Sequence, residues 1–275
     1  MYAIGDVAGQ YDALIKLVDK LPKKDKPIIL LGDLNDRGWK SKDVIQWAID
    51  NDVDNGGRVT TLDSNHGDMF VDWYNAITRS RHDYNIRYDD GIFFSNGGRA
   101  TVSSYNIDFT AGDITKQVND NDTMLNHIEW LSLRPSNIKI EVNGHKYLLT
   151  HAPLNINPHR TLEQFFDVGT GFANKPYFFR CDSEYNYQWN RYEPDRFHHE
   201  LPDTISVFGH NSVNTVKLFC KQYPDGIYAH SQDTLKELVD INKNQIYGIG
   251  IDTSKVNKIT ALDLESFDYF QESYL

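Results

Sequence analysis

The first third of the chain alternates between short apolar runs and polar turns in a pattern that predicts three strand–turn–helix units. Apolar runs at residues 2–5, 28–31 and 58–62 have the length and composition of buried strands. Each run is followed by a polar turn, and each turn by apolar residues at helical spacing. The predicted helices contain Leu14, Leu17, Val18 and Leu21, then residues 41–51, and then residues 69–77 after a loop at 63–67. Repeated units of this kind predict an α/β fold.

The regular pattern stops after residue 78 and returns only in part. Residues 79–123 mix aromatic residues, Asn, Asp and Gly with little period, and we interpret them as a cap or insertion. Residues 155–196, which are rich in Phe, Tyr and Asn, are interpreted as a long functional loop region. We treat the 275 residues as one domain. Between and after the two irregular segments we predict further helices and strands. These are a helix at 124–133, a hairpin of strands 138–142 and 146–150 joined by Asn143-Gly144, and strands at 205–208, 216–220, 245–251 and 258–263.

Acidic, amide and imidazole residues recur where the predicted strands end. The residues in these positions are Asp6, Asp33, Asn65, His66, His151 and His210. In open sheets, ligands bind beyond the carboxyl ends of strands, so these loops are expected to meet at one site. Oxygen and imidazole ligands without a thiolate suit Mn²⁺, Fe, Zn²⁺ or Ni²⁺. Any one of these residues alone has an ordinary alternative, because Asp and Asn are common turn formers after strands.

Composition narrows the classes of function. The chain has 39 acidic and 28 basic residues, a net charge of −11, which disfavours non-specific attraction to nucleic-acid backbones. Two cysteines, Cys181 and Cys220, lie far apart without a metal-binding spacing, which fits a reducing cytosol. No apolar run approaches the length of a membrane span, and no signal segment is evident at the start. We therefore expect a soluble cytoplasmic protein, in the host cytoplasm if it is viral.

Five ordered motifs carry a specific resemblance. Gly5-Asp6-Val7-Ala8-Gly9-Gln10 resembles GDxHG, and residues 32–38, Gly-Asp-Leu-Asn-Asp-Arg-Gly, match GDxxDRG in full. Ser64-Asn65-His66-Gly67-Asp68 resembles the GNH motif, Thr150-His151-Ala152 the later (S/T)HA motif, and Gly209-His210 the GH motif. Together they resemble the calcineurin-like metallophosphoesterases, especially the bacteriophage and bacterial serine/threonine-phosphatase branch. The resemblance implies an α/β sandwich of two central β-sheets flanked by helices, with a dimetal site at the strand ends.

The resemblance also implies a set of metal ligands. Asp6 would bind the first metal ion and Asp33 would bridge both ions. The ligands of the second ion would be Asn65, His151 and His210. Two divalent ions, with Mn²⁺ first and Fe, Zn²⁺, Ni²⁺ or Mg²⁺ as alternatives, would activate a water molecule for direct attack on phosphorus.

Four further residues receive roles from the resemblance. His66 would protonate the leaving oxygen, and Asp36 would orient its ring. Arg37 and Arg191 would clamp the phosphoryl group, because a guanidinium can donate two parallel hydrogen bonds to phosphate oxygens. Arg191 rests on a short match in a variable loop, where Arg180 or Arg196 could serve instead.

One position departs from the family pattern. The family has a histidine ligand of the first metal ion where this chain has Ala8, and a methyl group cannot coordinate. Two explanations stay open: natural loss of the ligand, or an alanine introduced to slow an active enzyme. We favour the second, because the other motifs keep their ligands. Either way, we expect weaker occupancy of the first metal position.

The motifs leave several substrates open. The first hypothesis is a phosphomonoesterase acting on a phosphoprotein or a small phosphoester. The second is a phosphoanhydride hydrolase acting on dinucleoside polyphosphates, nucleotides or RNA 5′ ends, and cleavage of cyclic nucleotides is a third. A hypothesis of another class is a pseudoenzyme that binds phosphorylated ligands or nucleotides without turnover. The two irregular segments would hold the choice of substrate, and the oligomeric state is left open.

Overall fold

The computed structural model describes residues 1–78, 90–154, 188–191, 203–242 and 245–274. Its strands are β1 (Tyr2–Ile4), β2 (Ile28–Leu30), β3 (Val59–Thr61), β4 (Asn137–Val142), β5 (His145–Thr150), β6 (Thr204–Phe208), β7 (Lys217–Cys220), β8 (Tyr223–Tyr228), β9 (Ile246–Gly250), β10 (Lys258–Asp263) and β11 (Tyr269–Ser273). Its α-helices are α1 (Tyr11–Lys20), α2 (Ser41–Asp50), α3 (Asn65–Thr78), α4 (Asp90–Ser95), α5 (Gly98–Ser104), α6 (Ile114–Asn119), α7 (Asp122–Ser132) and α8 (Gln232–Asn242).

The strands form two mixed sheets. The first sheet has the order β11-β10-β1-β2-β3, in which β1, β2 and β3 are parallel and β10 runs antiparallel to β1. The second has the order β4-β5-β6-β9-β7-β8, with β5, β6 and β9 parallel. The carboxyl ends of five of these six parallel strands, all except β9, therefore precede the segments that contain the predicted site residues. This arrangement confirms the α/β fold of two central sheets flanked by helices.

Side-chain alternation along the strands divides the core into two layers. In β1, Ala3 packs between the two sheets, whereas Tyr2 and Ile4 point to the helices on the outer face of the first sheet. In β2, Ile29 packs between the sheets and its neighbours face the helices. Strands that are buried on both faces read as continuous apolar runs, which is why β1 and β2 were predictable from the sequence.

Most predicted elements are confirmed within about two residues, the ordinary uncertainty of an element boundary. The Asn143-Gly144 hairpin is among them: φ is 50° at Asn143 and 78° at Gly144, as a type I′ turn requires. The predicted loop at 63–67 is wrong in part, because α3 already begins at Asn65. Sequence reasoning also missed β8, α8 and β11.

The interpretation of residues 79–123 as an irregular segment is wrong for its described part. Residues 90–119 contain three short helices, α4, α5 and α6. Phe93, Val102, Tyr105 and Val118 from this region lie in the same buried cluster as the helical face of the first sheet. The aromatic residues therefore build core. Residues 79–89, and 155–196 except 188–191, lie outside the described residues.

A search of the described residues for membrane-spanning segments finds no helix with enough length and apolar character to cross a bilayer.

A buried histidine connects these core helices and generates a prediction. His127, 1% exposed, donates from Nε2 to Gln46 Oε1 (3.0 Å) and accepts at Nδ1 from the Tyr105 hydroxyl (2.7 Å). Burial lowers the pKa of His127 from 6.5 to about 4. The neutral ring therefore contributes stability above pH 6.5, and this contribution is lost as the pH falls from 6.5 towards 4.

We expect the native chain to lose about 2 kcal/mol more of its free energy of unfolding between pH 7.5 and pH 5 than the His127→Gln variant does. Urea denaturation of both proteins at the two pH values measures this difference. Equal losses would show that His127 does not titrate between the folded and unfolded states as its environment predicts.

Candidate active site

The turns after β1 and β2 are interlocked through their main chains. The Asp33 carbonyl accepts hydrogen bonds from the amides of Val7 (3.1 Å) and Ala8 (2.7 Å), and the Gly38 amide donates to the Ala8 carbonyl (2.9 Å). Gly38 has to be glycine, because a Cβ there would lie 2.6 Å from the Ala8 carbonyl oxygen. This interlock places Asp6 and Asp33 side by side at the edge of the first sheet.

Several residues of the site have left-handed backbone conformations. φ is 48° at Ala8, 45° at Asp33, 70° at Asp36, 60° at Arg37 and 56° at His210. Such values are uncommon for residues with a Cβ, and they tend to cluster at functional sites. The packing of the two sheets therefore stabilises local conformations that the residues themselves disfavour.

Three potential ligand atoms lie close together at the end of β2: Asp33 Oδ1, Asn65 Oδ1 and His151 Nε2. His151 donates from Nδ1 to the Leu31 carbonyl (2.8 Å), so its Nε2 carries a lone pair. This Nε2 lies 2.7 Å from Asn65 Oδ1 and 3.4 Å from Asp33 Oδ1, which are both acceptors. In its neutral form His151 therefore presents a lone pair at Nε2 beside two oxygen ligands, and this arrangement fits a metal ion.

His210 completes this group. Its Nε2 is buried and has no hydrogen-bond partner among the described residues, and its ring lies 5.1 Å from that of His151. Burial, with a contribution from His151, lowers the pKa of His210 to about 3, so the imidazole is neutral and able to coordinate. One ligand atom each from Asp33, His151 and His210 lie within 4.8 Å of one another. With Asn65, these donors fit the second metal position predicted from the sequence.

Asp33 and Asp6 have opposite electrostatic environments. Burial opposes ionisation of Asp33, but the positive charge that His151 and His66 carry when protonated outweighs it and holds the pKa of Asp33 below the usual range. Burial, Asp252 and Asp33 all raise the pKa of Asp6, which accepts a hydrogen bond from the His210 amide (3.0 Å). The first position thus has carboxylates but lacks an imidazole.

The donors at the first position fit a metal ion only in part. Asp6 and Asp33 are present, and Ala8 contributes a methyl group where a third ligand is needed. Among the described residues, His, Cys, Asp and Glu side chains form no cluster of three ligand atoms around Asp6. The absence of a ligand at Ala8 is therefore not compensated by these residue types in the described part of the chain.

Sequence reasoning gave no role to Asp252, which the structure places near Asp6. Asp252 follows β9, is 1% exposed, and accepts hydrogen bonds from Ser212 Oγ (2.7 Å) and the Ser254 amide (2.9 Å). The signal that could have found it is its position after a predicted strand, which it shares with Asp6 and Asp33.

His66 and Asp36 form a buried pair. His66 Nδ1 lies 2.5 Å from Asp36 Oδ2, and its Nε2 lies 3.8 Å from Asp33 Oδ2. Burial opposes protonation of His66, but Asp33 and Asp36 outweigh it and raise the pKa of the ring. The other oxygen of Asp36, Oδ1, accepts hydrogen bonds from the Thr101 hydroxyl (2.5 Å) and from the side-chain amide of Asn35 (3.0 Å). Both oxygens of the Asp36 carboxylate are thus hydrogen-bonded.

Arg37 is exposed at the rim of the site, on the turn that contains Asp36. Its amide donates to the Gly97 carbonyl (3.4 Å), and a Cβ at Gly97 would lie 2.6 Å from this amide. The glycine turn before α5 therefore packs directly against the backbone of Arg37. Its guanidinium acts electrostatically on Asp6 and Asp33, so it lies near both.

Residues 188–191 bring Arg191 to the same site. Gln188 Nε2 donates to Asp63 Oδ2 (2.5 Å), and the Trp189 ring packs edge-on against that of His210 with centroids 6.1 Å apart. The charge of Arg191 contributes to the low pKa of His210, so Arg191 lies on this side. The alternative residues Arg180 and Arg196 lie outside the described residues.

With the site described, the comparisons with known proteins can be stated. The family model for calcineurin-like phosphoesterases matches residues 1–214. The chain belongs to the calcineurin-like phosphoesterase family. Members of this family are metal-dependent phosphoester hydrolases, and the cluster at Asp33 agrees with that chemistry. A comparison with curated protein sequences finds no match.

The chain is similar to several solved structures at low sequence identity, and the first of those described next has the same fold. A cold-active protein-tyrosine phosphatase of a psychrophilic Shewanella species is 17% identical, with a TM-score of 0.51, over 100% of this chain and 80% of that one. A metallophosphoesterase from Sphaerobacter thermophilus is 11% identical, with a TM-score of 0.49, over 100% of this chain and 88% of that one. A serine/threonine phosphatase from Saccharomyces cerevisiae is 12% identical, with a TM-score of 0.44, over 100% of this chain and 79% of that one.

Thr101 provides a test of how Asp36 is fixed. Its hydroxyl both donates to the Asp36 carboxylate (2.5 Å) and accepts from the Asp36 amide (2.8 Å). We expect Thr101→Val to reduce the free energy of unfolding by about 1–3 kcal/mol, because both buried groups lose a partner.

Chemical denaturation measures the loss, and Thr78→Val is the matched control. Among the described residues, the Thr78 hydroxyl bonds the carbonyl of Tyr74 in its own helix and is partly buried, so its replacement should cost less than about 0.5 kcal/mol. Similar losses in the two variants would contradict a special role for Thr101.

Proposed function

We propose that this chain is a phosphomonoesterase that hydrolyses a phosphoprotein or a small phosphoester with two divalent ions, Mn²⁺ first among them. The observation that carries the proposal is the convergence of Asp33, Asn65, His151 and His210 beside the buried His66–Asp36 pair. Lone pairs that need a cation thus lie beside an imidazole that can give a proton to a leaving group. A hydrolase that uses metal ions for phosphoryl transfer requires both.

In this proposal each metal position has its own ligands. Asp33, Asn65, His151 and His210 would hold the second ion, and Asp6 would share the first with Asp33. Bound ions would supply an activated water and would neutralise charge on the phosphoryl group. His151 is held in the correct tautomer by the Leu31 carbonyl (2.8 Å), so its Nε2 is ready to coordinate.

His66 would protonate the leaving oxygen. Its Nδ1 is held by Asp36 at 2.5 Å, so a proton on Nε2 is available to a group bound next to Asp33. Asp36 stabilises the imidazolium and fixes the ring, and it is itself held by Thr101 and Asn35. General acids of this kind typically contribute about 10²–10⁴-fold to the rate.

Arg37 and Arg191 would bind the phosphoryl oxygens. They approach from two different segments, the turn after β2 and residues 188–191. Guanidinium groups in these positions would stabilise charge on the phosphoryl oxygens as the bond to the leaving group breaks.

Ala8 makes the proposed enzyme weak in the form described. The first position keeps Asp6 and Asp33 alone, so its ion should bind less tightly than the ion at the second position. The Ala8 backbone forms the interlock with Asp33 and Gly38 without help from its side chain. A histidine at this position should therefore restore a ligand without disturbing the fold.

We expect Ala8→His to raise the turnover of p-nitrophenyl phosphate with Mn²⁺ by about 100-fold. Loss of groups that merely support metal ligands costs about 10–100-fold, and a ligand itself should be worth at least the upper end of that range. Steady-state turnover with and without Mn²⁺ measures the gain.

The control is Ala8→His combined with Asp33→Asn, which removes the shared carboxylate charge and should abolish the gain. If Ala8→His shows no turnover of any phosphoester, the hydrolase proposal fails. A phospho-ligand or nucleotide-binding protein would then be the better description.

A second measurement separates classes of substrate. The Ala8→His protein should hydrolyse p-nitrophenyl phosphate and a phosphopeptide with higher kcat/KM than diadenosine tetraphosphate, since the proposed clamp binds a terminal phosphoryl group. We expect a preference of at least about tenfold, a difference in activation free energy of about 1.4 kcal/mol. A dominant preference for the dinucleotide would replace the monoesterase proposal by a phosphoanhydride hydrolase.

A further inference from the structure

A buried amide donor near the site has no partner. Asn190 Nδ2 is shielded from solvent, and it makes no hydrogen bond in the part of the chain that the structure describes. Buried polar groups are normally paired, so an unpaired one calls for an explanation. A ligand that the structure does not contain is one such explanation.

The two residues before Asn190 are held in place by side-chain contacts. Gln188 is tied to Asp63, and the amide of Asp63 donates to the Pro135 carbonyl (2.9 Å). Trp189 packs edge-on against the ring of His210, at 6.1 Å between centroids. Asn190 therefore follows a residue that touches the proposed second metal position.

The imidazole that Trp189 contacts also has an unpaired atom. His210 Nε2 is buried and makes no hydrogen bond in the part of the chain that the structure describes.

The two unpaired atoms have complementary chemistry. His210 Nε2 offers a lone pair, which suits a cation, whereas Asn190 Nδ2 offers a proton, which suits an anionic oxygen. A phosphoryl group bound to a metal ion would provide the oxygen next to the cation. An amide is also neutral, so its burial costs less than that of a third guanidinium.

We propose that Asn190 donates a hydrogen bond from Nδ2 to a phosphoryl oxygen of the substrate, as a third clamp residue beside Arg37 and Arg191. This inference rests on the proposed function and names a further residue of the same site. It gives a role in binding the phosphoryl group to an atom that has no other hydrogen-bond partner in the described part of the chain.

The test uses three substitutions of Asn190 in the Ala8→His protein with Mn²⁺. Asn190→Leu keeps the size and removes the donor, Asn190→Asp turns the donor into a negatively charged acceptor, and Asn190→Ser retains a donor. The readouts are kcat and KM for p-nitrophenyl phosphate, inhibition by inorganic phosphate, and Mn²⁺ stoichiometry by calorimetry.

We expect Asn190→Leu to weaken inhibition by phosphate and to lower kcat/KM, each by about 10- to 100-fold, the range for a hydrogen bond to a charged group. Asn190→Asp should lose more than Asn190→Leu, and Asn190→Ser should recover part of the loss. Mn²⁺ stoichiometry should not change. The control is Asn55→Leu, whose amide donates to the Ile49 carbonyl far from the site, and it should leave all readouts unchanged.

Two results would overturn the inference. One is an Asn190→Leu protein whose phosphate inhibition and kcat/KM stay within about twofold of the parent, the range of a neutral surface change. The other is a loss of Mn²⁺ binding together with phosphate binding, which would make Asn190 a support of the metal position.

Direct binding keeps this inference separable from the proposed function. If the Ala8→His protein has no turnover, calorimetric titration with inorganic phosphate in the presence of Mn²⁺ still tests Asn190. Binding that is lost in Asn190→Leu and kept in Asn55→Leu would support the clamp while the hydrolase proposal fails. A parent protein that binds no phosphate would overturn both.

Discussion

The structure of the site depends on the main-chain interlock between the turns that follow β1 and β2. The Asp33 carbonyl binds the amides of Val7 and Ala8, and the Ala8 carbonyl binds the amide of Gly38. Because these bonds are made by the backbone, the side chain at position 8 contributes nothing to them. A metal ligand can therefore be replaced by alanine while the positions of Asp6 and Asp33 stay fixed. The alanine at position 8 affects the chemistry of the site and leaves the interlocked backbone of the two turns in place.

The same backbone arrangement gives the two proposed metal positions different electrostatic environments. His151 and His66, when protonated, hold the pKa of Asp33 below the usual range despite its burial, whereas burial, Asp252 and Asp33 raise the pKa of Asp6. A cation at the proposed second position would meet oriented ligands, of which His151 Nε2 is fixed by a backbone carbonyl. At the first position a cation would instead have to relieve repulsion between buried carboxylates with fewer ligands. The asymmetry follows from the one missing imidazole.

The sequence predicted what depends on periodicity and on order along the chain. Strands buried on both faces, such as β1 and β2, were found because their apolar runs are continuous, and the family follows from motifs in a fixed order. The start of α3 was missed because its first turn is polar and belongs to the site. The helices of residues 90–119 were missed because each is short, and α4 and α5 contribute aromatic and β-branched residues. Contacts such as Thr101 with Asp36, 65 positions apart, depend on the tertiary fold and leave no local signal.

The groups proposed to bind phosphate are separate from the position that Ala8 affects. This separation bears on whether the chain is best described as an enzyme or as a binding protein. The groups proposed to hold the phosphoryl moiety, Arg37 and residues 190–191, lie on segments that do not include Ala8. The residues proposed to hold the second metal ion, Asp33, Asn65, His151 and His210, likewise do not include Ala8. Ala8 weakens the position that helps to activate water, so it should lower kcat more than it lowers affinity for a phosphorylated ligand. A chain of this kind would bind phosphorylated ligands well and turn them over slowly. Slow turnover and retained binding would therefore be two consequences of the same missing ligand, and they would not require two different functions.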